Sequence, residues 1–301
     1  MIAAVRLPQT GHSLHVQKSF SRTHELRDSA PICCGCANVR CWFDTQSFTV
    51  AYMSGFTRSP DPSLQLRQQY LESLEEPQEF FLEELVGLGQ FWTHDDGSYA
   101  VTHGKTLVEF FSPNPKNSTS LLLHLHDQDG YSTALVKSYD LDLVRSCKEL
   151  GWIASVGGFL FRKRETRTRT AFHNVEMSAA TPVDVDPLWE VNDDFFARQA
   201  EITSLAETGK LWTVRVDGEI TGCGVSNRFI EDSDAVDVGM MVAPSLRRRG
   251  LGTHIVSEIA NRVESAGLRP ICGCGASNTA SKATLEKAGF VSEHQLLSFT
   301  V

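Results

Sequence analysis

One strand–turn–helix unit, residues 236–266, limits the fold of this chain more than any other part of the sequence. Its first part is apolar and has the length of a strand, and Pro244 ends it because proline has no N–H for a sheet ladder. A basic turn with Gly250 and Gly252 follows. Apolar residues then recur every three or four positions up to Gly267, which predicts a helix with one apolar face and a glycine cap.

The turn before this helix has the chemistry of an anion site. Arg247, Arg248 and Arg249 precede Gly250 and Gly252. The first N–H groups of a helix have no partner within it, and the helix dipole adds positive charge at the same end. Glycine lets the backbone approach a phosphate closely, while arginine supplies charge and forked donors. The sequence therefore predicts a phosphate-binding turn, although a solvated basic helix start has the same residues.

The spacing Arg-x-x-Gly-x-Gly, with Arg247, Gly250 and Gly252 in its fixed positions, resembles the pyrophosphate loop of the GNAT N-acetyltransferase superfamily. The turn lacks the Lys-Ser/Thr of a Walker A loop, which argues against an NTPase. A second segment resembles the closing helix of the same superfamily, with Asn278 as its N-cap and Gly289 at its C-terminal end. Two matches in the right order identify about residues 170–301 as GNAT-like.

The first half of the chain repeats this closing helix in weaker form. Residues 148–152 align with residues 286–290, and Asp140 stands where Asn278 stands in the second half. No Arg-x-x-Gly-x-Gly turn occurs in residues 111–120. We therefore interpret the first half as a degenerate copy that cannot hold a pyrophosphate in the family way.

The resemblance implies a tandem α/β (α+β) fold. We expect two GNAT-like domains, each a mixed, mostly antiparallel twisted sheet flanked by helices. Residues 1–52 are predicted to be a disordered extension, residues 53–161 the degenerate GNAT-like domain, and residues 162–301 the GNAT acetyltransferase domain. Residues 162–170 are basic and polar, so a solvated connector is favoured over a contact with nucleic acid or with the 3′-phosphate of CoA.

The first 52 residues differ in composition from the rest, being basic and frequent in Ser and His. A disordered stretch, or one ahead of a true start at Met53, is favoured over a mitochondrial transit peptide because no amphipathic helix is evident. Cys33 and Cys36 have the spacing of half a zinc site, but no second pair follows, so we expect no metal. Cys272 and Cys274 fall on one face of a strand and are expected to be small core residues.

Charge and hydropathy narrow the set of partners. The 301 residues carry a formal net charge of −9, which argues against a nucleic-acid partner. No apolar run has the length of a membrane span, so no membrane partner is expected. We expect a cytoplasmic protein with reduced thiols, with a mitochondrial location as the alternative if residues 1–52 are a transit peptide. The sequence sets no oligomeric state.

The resemblance implies an N-acetyltransferase that moves an acetyl or other acyl group from acetyl-CoA directly to an amine of a small molecule or protein. Asp237 is the candidate base, because it stands seven residues before Pro244, where many family members place a Glu. A carboxylate without a role is the alternative. Many members carry a Tyr acid where this chain has Leu285, and leucine cannot donate a proton. Ser277 or Ser281 acting through water is a substitute, and the missing Tyr also permits a non-catalytic acyl-CoA-binding or interaction module.

The predicted site therefore combines two catalytic candidates with a longer set of cofactor contacts. The candidate catalytic residues are Asp237 and Ser281. We expect a backbone N–H near the end of the strand to polarise the thioester, and the turn and closing helix to hold acetyl-CoA. The candidate acetyl-CoA-binding residues are Met241, Val242, Arg247, Arg248, Arg249, Gly250, Leu251, Gly252, Thr253, Asn278 and Ser281. We expect the first half to form one wall of the acceptor cleft, with a separate, uninvolved domain as the alternative.

Overall fold

The computed structural model describes residues 55–60, 64–165, 172, 174–230 and 233–301. These residues belong to one compact unit. The predictions for residues 1–52, including the disordered extension and the Cys33–Cys36 pair, lie outside the described residues.

The first half of the described chain alternates between groups of helices and strands. Pro77 separates two helices, because proline disfavours a continuous helix across it. Gly97 adopts a positive φ of 86° in the first hairpin turn, and Asp140 caps a later helix by accepting the N–H of Leu143. The elements are β1 (Thr57–Ser59), α1 (Leu64–Ser73), α2 (Phe80–Gly87), β2 (Gln90–Thr93), β3 (Tyr99–His103), β4 (Thr106–Phe111), α3 (Ser118–Asp129), β5 (Thr133–Lys137), α4 (Leu141–Glu149) and β6 (Ile153–Phe161).

The second half follows a similar order after a short strand. A hairpin turns at Gly218, which has a positive φ of 84°, and two short helices precede it. The elements are β7 (Lys163–Arg164), β8 (Val175–Ala179), α5 (Val185–Glu190), α6 (Gln199–Glu207), β9 (Leu211–Val216), β10 (Glu219–Asn227), β11 (Ala235–Val242), α7 (Leu251–Ser265), β12 (Arg269–Gly275), α8 (Thr279–Lys287), β13 (Phe290–Val291) and β14 (His294–Thr300).

Twelve strands of the described chain form one twisted sheet in the order β1-β2-β3-β4-β5-β14-β6-β12-β11-β10-β9-β8, while β7 and β13 pair separately. Most neighbours are antiparallel; the recorded parallel pairs are β4 with β5 and β11 with β12. The prediction of a mixed, largely antiparallel sheet flanked by helices is confirmed.

The last strand of each half completes the sheet of the other half. Strand β6 pairs with β12, with Phe161 opposite Cys272, and β14 pairs with β5, with Leu297 opposite Val136. The strands β6 and β14 also pair with each other. The two halves therefore share one sheet, and their matching element order agrees with a repeat. That the first half is a degenerate copy, and that the boundary lies between residues 161 and 162, stay predictions.

Opposite faces of β11 have different neighbours, and this sets the position of the candidate site. Val236 and Val238 pack in a core with Ile259 of α7. Met241 packs instead in a core with Leu188 of α5 and residues of α6. Because side chains alternate along a strand, Asp237 points to the same face as Met241.

The predicted solvated connector is wrong at its first residue. The side chain of Arg162 is only 1% exposed and forms an ion pair with Glu79, so its charge is neutralised inside the protein. Residues 163 and 164 follow as β7, and residues 166–170 lie outside the described residues. Cys272 and Cys274 are buried free thiols in one core cluster, which confirms their predicted packing role. No described helix has the length and hydrophobicity to cross a membrane.

Candidate active site

Two parallel strands of the second half diverge at the candidate site. Strand β11 pairs with β12 from Ala235 opposite Arg269 to Asp237 opposite Ile271. Beyond that pair, β12 pairs with β6, while β11 remains paired with β10 as far as Val242. The end of β11 therefore turns one row of N–H and C=O groups towards the diverging strand. Such an edge can hydrogen-bond an extended ligand as an added strand would.

The turn after β11 has the backbone that the glycine pattern predicts. Arg248 and Gly250 adopt positive φ angles of 61° and 88°. The positive φ favours glycine at position 250, whereas a Cβ there would only touch two ring carbons of Phe172 at 3.4 Å. Helix α7 begins at Leu251, and the N–H groups of its first turn have no acceptor four residues back. These donors form the candidate phosphate cradle.

The three arginines of the turn have different positions. Arg247 donates through Nε to the carbonyl of Val242 at 3.0 Å and forms an ion pair of 2.7 Å with Asp193. It therefore braces the turn against the end of β11. Arg248 and Arg249 are exposed beside the start of α7, where their charge adds to the dipole of the helix.

The closing helix packs against this turn. Asn278 caps α8 by accepting the N–H of Ser281 at 3.0 Å, as predicted. A Cβ at Gly252 would lie 3.3 Å from Cγ2 of Thr284, so the small residue lets α7 and α8 approach closely. Leu285 is buried in the core between α7 and β12, which gives it a packing role. Thr253 and Ser281 are both partly exposed, at the starts of their helices.

Asp237 lies at the base of the diverging strands with its carboxylate buried. Its Oδ2 accepts the backbone N–H of Phe80 at 3.0 Å, and its Oδ1 has no hydrogen-bond partner within the described part of the chain. Burial raises the pKa of Asp237 to about 7; the Phe80 N–H acts in the opposite direction, Glu79 adds to the rise and Arg162 opposes it. A pKa near neutrality suits a general base.

Arg162 joins the two halves beneath Asp237. It donates to Oε2 of Glu79 at 2.5 Å, to the carbonyl of Pro77 at 2.8 Å and to the carbonyl of Cys272 at 3.1 Å. Its second contact with a side chain is the hydroxyl of Tyr139 at 3.2 Å. Burial lowers the pKa of Arg162, but Tyr139 and Glu79 more than reverse this, so the guanidinium stays charged.

The sequence analysis missed Glu79, Phe80 and Arg162 as neighbours of Asp237. No local motif marks them, because their proximity depends on contacts over 83 and 157 positions. The predicted cofactor residues occupy one continuous strand–turn–helix, and Asn278 and Ser281 lie at the start of the helix packed beside it. No group of three or more potential metal ligands occurs among the described residues.

Several solved structures share this fold. An acetyltransferase of the GNAT family from Colwellia psychrerythraea is similar with a TM-score of 0.72 and 17% identity, over 81% of this chain and 98% of that chain. A tandem GNAT protein from the clavulanic acid biosynthesis pathway, solved without AcCoA, has a TM-score of 0.57 and 14% identity, over 82% and 97%. A GCN5-related N-acetyltransferase from Sphaerobacter thermophilus has a TM-score of 0.53 and 13% identity, over 80% and 86%.

The sequence comparisons locate the resemblance more narrowly. No curated protein matches the chain. Residues 171–290 match the family model described as the acetyltransferase (GNAT) family, which includes β11, the turn and α8. The similarity to the GNAT acetyltransferase family in sequence is therefore confined to residues 171–290 of the second half.

Proposed function

We propose that the second half transfers an acetyl group from acetyl-CoA directly to an amine. The observation that carries this proposal is the divergence of β11 from β12 immediately before the positive-φ turn that opens α7. An anion cradle, a free strand edge and a buried carboxylate then lie on one short segment. The GNAT family match supports acyl transfer from acetyl-CoA in general, and the acceptor is part of the proposal.

In this proposal the turn binds the pyrophosphate of acetyl-CoA. The N–H groups of Leu251, Gly252 and Thr253 donate to it, and Arg248 and Arg249 add positive charge. The free edge of β11 pairs with the amide-containing arm of the ligand. An N–H at Met241 or Val242 polarises the thioester carbonyl, which stabilises the charge that develops on its oxygen.

Asp237 acts as the base in the same scheme. The ammonium of the acceptor gives a proton to the carboxylate, the nitrogen keeps the electron pair, and that pair attacks the thioester carbon. The C–S bond then breaks and the sulfur leaves with its electrons, while the nitrogen loses its second proton to water and the neutral amide forms. Leu285 cannot protonate the thiolate, so Ser281 acting through water, or release as the thiolate, completes the step.

A thiol-release assay with acetyl-CoA and a panel of amines tests the proposal. We expect amine-dependent release of CoA by the full chain and its loss in Asp237→Asn. Asp234→Asn is the matched control, because Asp234 lies three residues away with a 64% exposed side chain. Calorimetry should find one acetyl-CoA per chain, since the described first half has no Gly-x-Gly turn before α3.

A second candidate, a non-catalytic acyl-CoA-binding module, is favoured by one observation. Leu285 fills the core at the place where many family members carry a Tyr acid. Tight binding of one acetyl-CoA per chain with no thiol release for any amine would establish this alternative and overturn the transferase proposal.

A further inference from the structure

Corresponding strands of the two halves carry acidic residues in opposite environments. Glu109 on β4 is fully buried and saturated with donors: Arg67 and Gln78 donate to its Oε1 at 3.1 Å and 2.7 Å, and Tyr99 donates to its Oε2. Burial raises the pKa of Glu109, but Arg67 leads the contacts that bring it below its ordinary value. Asp237 on β11 has the opposite balance, with one acceptor oxygen that no described group serves. Both oxygens of Glu109 therefore have hydrogen-bond donors, whereas one oxygen of Asp237 has none among the described residues.

Three buried acceptor oxygens of the described chain lack partners around Asp237. They are Oδ1 of Asp237, Oδ1 of Asn227 and Oε1 of Glu79. The three residues are only 4%, 6% and 2% exposed. Folded proteins rarely leave buried acceptors unserved, so a group of three points to a missing donor.

Two backbone relationships place these three residues near one another. Asn227 is directly opposite Asp237 in the β10–β11 pairing, and opposed residues project on the same face with Cβ atoms about 4.5–5.5 Å apart. Glu79 immediately precedes Phe80, whose N–H is bonded to Asp237. The rings of Phe80 and Phe229 lie 5.9 Å apart and form an apolar border.

The cluster of Glu79, Arg162 and the ionised Asp237 carries one negative charge in excess. Arg162 neutralises Glu79 through their ion pair, which leaves the ionised Asp237 without a cation of its own. A buried anion without a partner is unfavourable. A primary ammonium supplies one positive charge and three N–H donors, which matches both the charge and the number of free acceptors.

We propose that Glu79, Asn227 and Asp237 form a subsite for a primary ammonium group, bordered by Phe80 and Phe229. The acceptor is then a primary amine with an apolar or aromatic group close to its amine carbon. This inference rests on the proposed function only in identifying that amine as the acyl acceptor. Asp237 takes one of the three protons and the nitrogen keeps the electron pair for attack on the thioester carbon, while Glu79 and Asn227 accept hydrogen bonds from the two remaining N–H groups.

Ligand binding by the full chain in the absence of acetyl-CoA tests the subsite directly. The probes are 2-phenylethylamine, its N-methyl derivative and 2-phenylethanol, which share a ring but present three, two and no ammonium hydrogens. Calorimetry at pH 8 should show that the primary amine binds at least about tenfold more tightly than the alcohol, with the N-methyl amine between them. Equal affinities, or no saturable binding of 2-phenylethylamine, would overturn the proposal.

Substitutions of Glu79 and Asn227 test whether these side chains bind the ammonium group. Glu79→Gln keeps an acceptor for Arg162 but removes the charge, and should weaken amine binding about tenfold without changing the alcohol. Asn227→Ala should abolish the preference for the primary over the N-methyl amine. Glu76→Gln is the control, because Glu76 lies in the same segment and pairs with Arg269 instead.

These measurements separate a failed subsite from a failed function. Melting temperatures first establish that each variant is folded, and a folded Glu79→Gln that loses amine and alcohol equally would make Glu79 structural and overturn the subsite. Amine binding that follows the predicted order without any thiol release would refute acyl transfer and support the subsite. Thiol release with an amine KM unchanged in Glu79→Gln would support the transferase and refute the subsite.

Discussion

The backbone N–H of Phe80 donates a hydrogen bond of 3.0 Å to the carboxylate of Asp237, which lies 157 positions later in the chain. The contact joins the start of α2 in the first half to the strand that carries the candidate base. Because the donated bond favours the ionised carboxylate, the first half influences the protonation of a residue in the second half.

The pH dependence of acyl transfer should report the raised pKa of Asp237. A base must be deprotonated, so kcat/KM should fall as the pH drops through about 7. Glu79→Gln removes a nearby negative charge and should move this acid limb to lower pH, while Arg162→Met should move it to higher pH. A pH–rate profile of each folded variant measures the limb. An acid limb near pH 4 in the unmodified chain would exclude Asp237 as the base.

Asp237→Asn should stabilise the protein at high pH although it removes activity. The pKa of Asp237 is about 7 in the folded chain against an ordinary value of 3.8, so the folded state binds the proton more tightly. Stability therefore falls as the pH rises between these values, by up to about 4 kcal/mol at about 1.4 kcal/mol per pKa unit. Urea unfolding should show a gain for the variant at pH 8 and almost none at pH 4. A loss of stability at pH 8 would contradict this electrostatic picture.

Gly250→Asp should weaken acetyl-CoA binding by at least about tenfold, because it sets a negative charge against the pyrophosphate. Each charge-assisted hydrogen bond contributes about 1.5–3 kcal/mol, and about 1.4 kcal/mol corresponds to a factor of ten. Gly267→Asp is the matched control, since Gly267 also has a positive φ, of 73°, but lies beyond the other end of α7. Calorimetry should separate the two variants. Equal affinities in two folded variants would remove the turn from the cofactor site.

Glu109→Gln should destabilise the first half without changing acetyl-CoA affinity. Arg67, Gln78 and Tyr99 surround the carboxylate, and the loss of one partner of a buried pair costs about 3 kcal/mol. The pKa of Glu109 is lowered, so its contribution is present above the ordinary value and is lost as the pH falls below it. Urea unfolding should show a large difference from the unmodified chain at pH 7 and a small one at pH 3. No difference at pH 7 would mean that the network contributes little.

Local chemistry explains which parts of the fold the sequence predicts. The glycine turn at Gly250, the cap at Asn278 and the apolar stripe of α7 depend on residues within a few positions, and all three form as expected. The burial of Arg162 could not be predicted in this way, because its anion is 83 positions away.

The same distinction between local and distant contacts applies to the candidate site. The phosphate turn depends on consecutive residues, and its glycines are readable from their spacing. The environment of Asp237 depends on Glu79 and Phe80, which reach it only after the two halves have formed one sheet. The exchange of β6 and β14 between the two halves cannot be predicted from the sequence either, because β5 has the same apolar pattern whichever strand pairs with it.

The crossing of β6 and β14 has a consequence for synthesis on the ribosome. Strand β5 ends at Lys137, but its partner β14 begins at His294, so about 160 residues must be translated between them. At roughly 5–20 residues per second this takes about 8–30 seconds. During that interval Leu135 and Val136 belong to a strand that has β4 on one side but still lacks β14 on the other. An unpaired strand edge is a template for other chains. The nascent first half therefore depends on temporary cover, by β6 or by a chaperone, until the distant strand emerges.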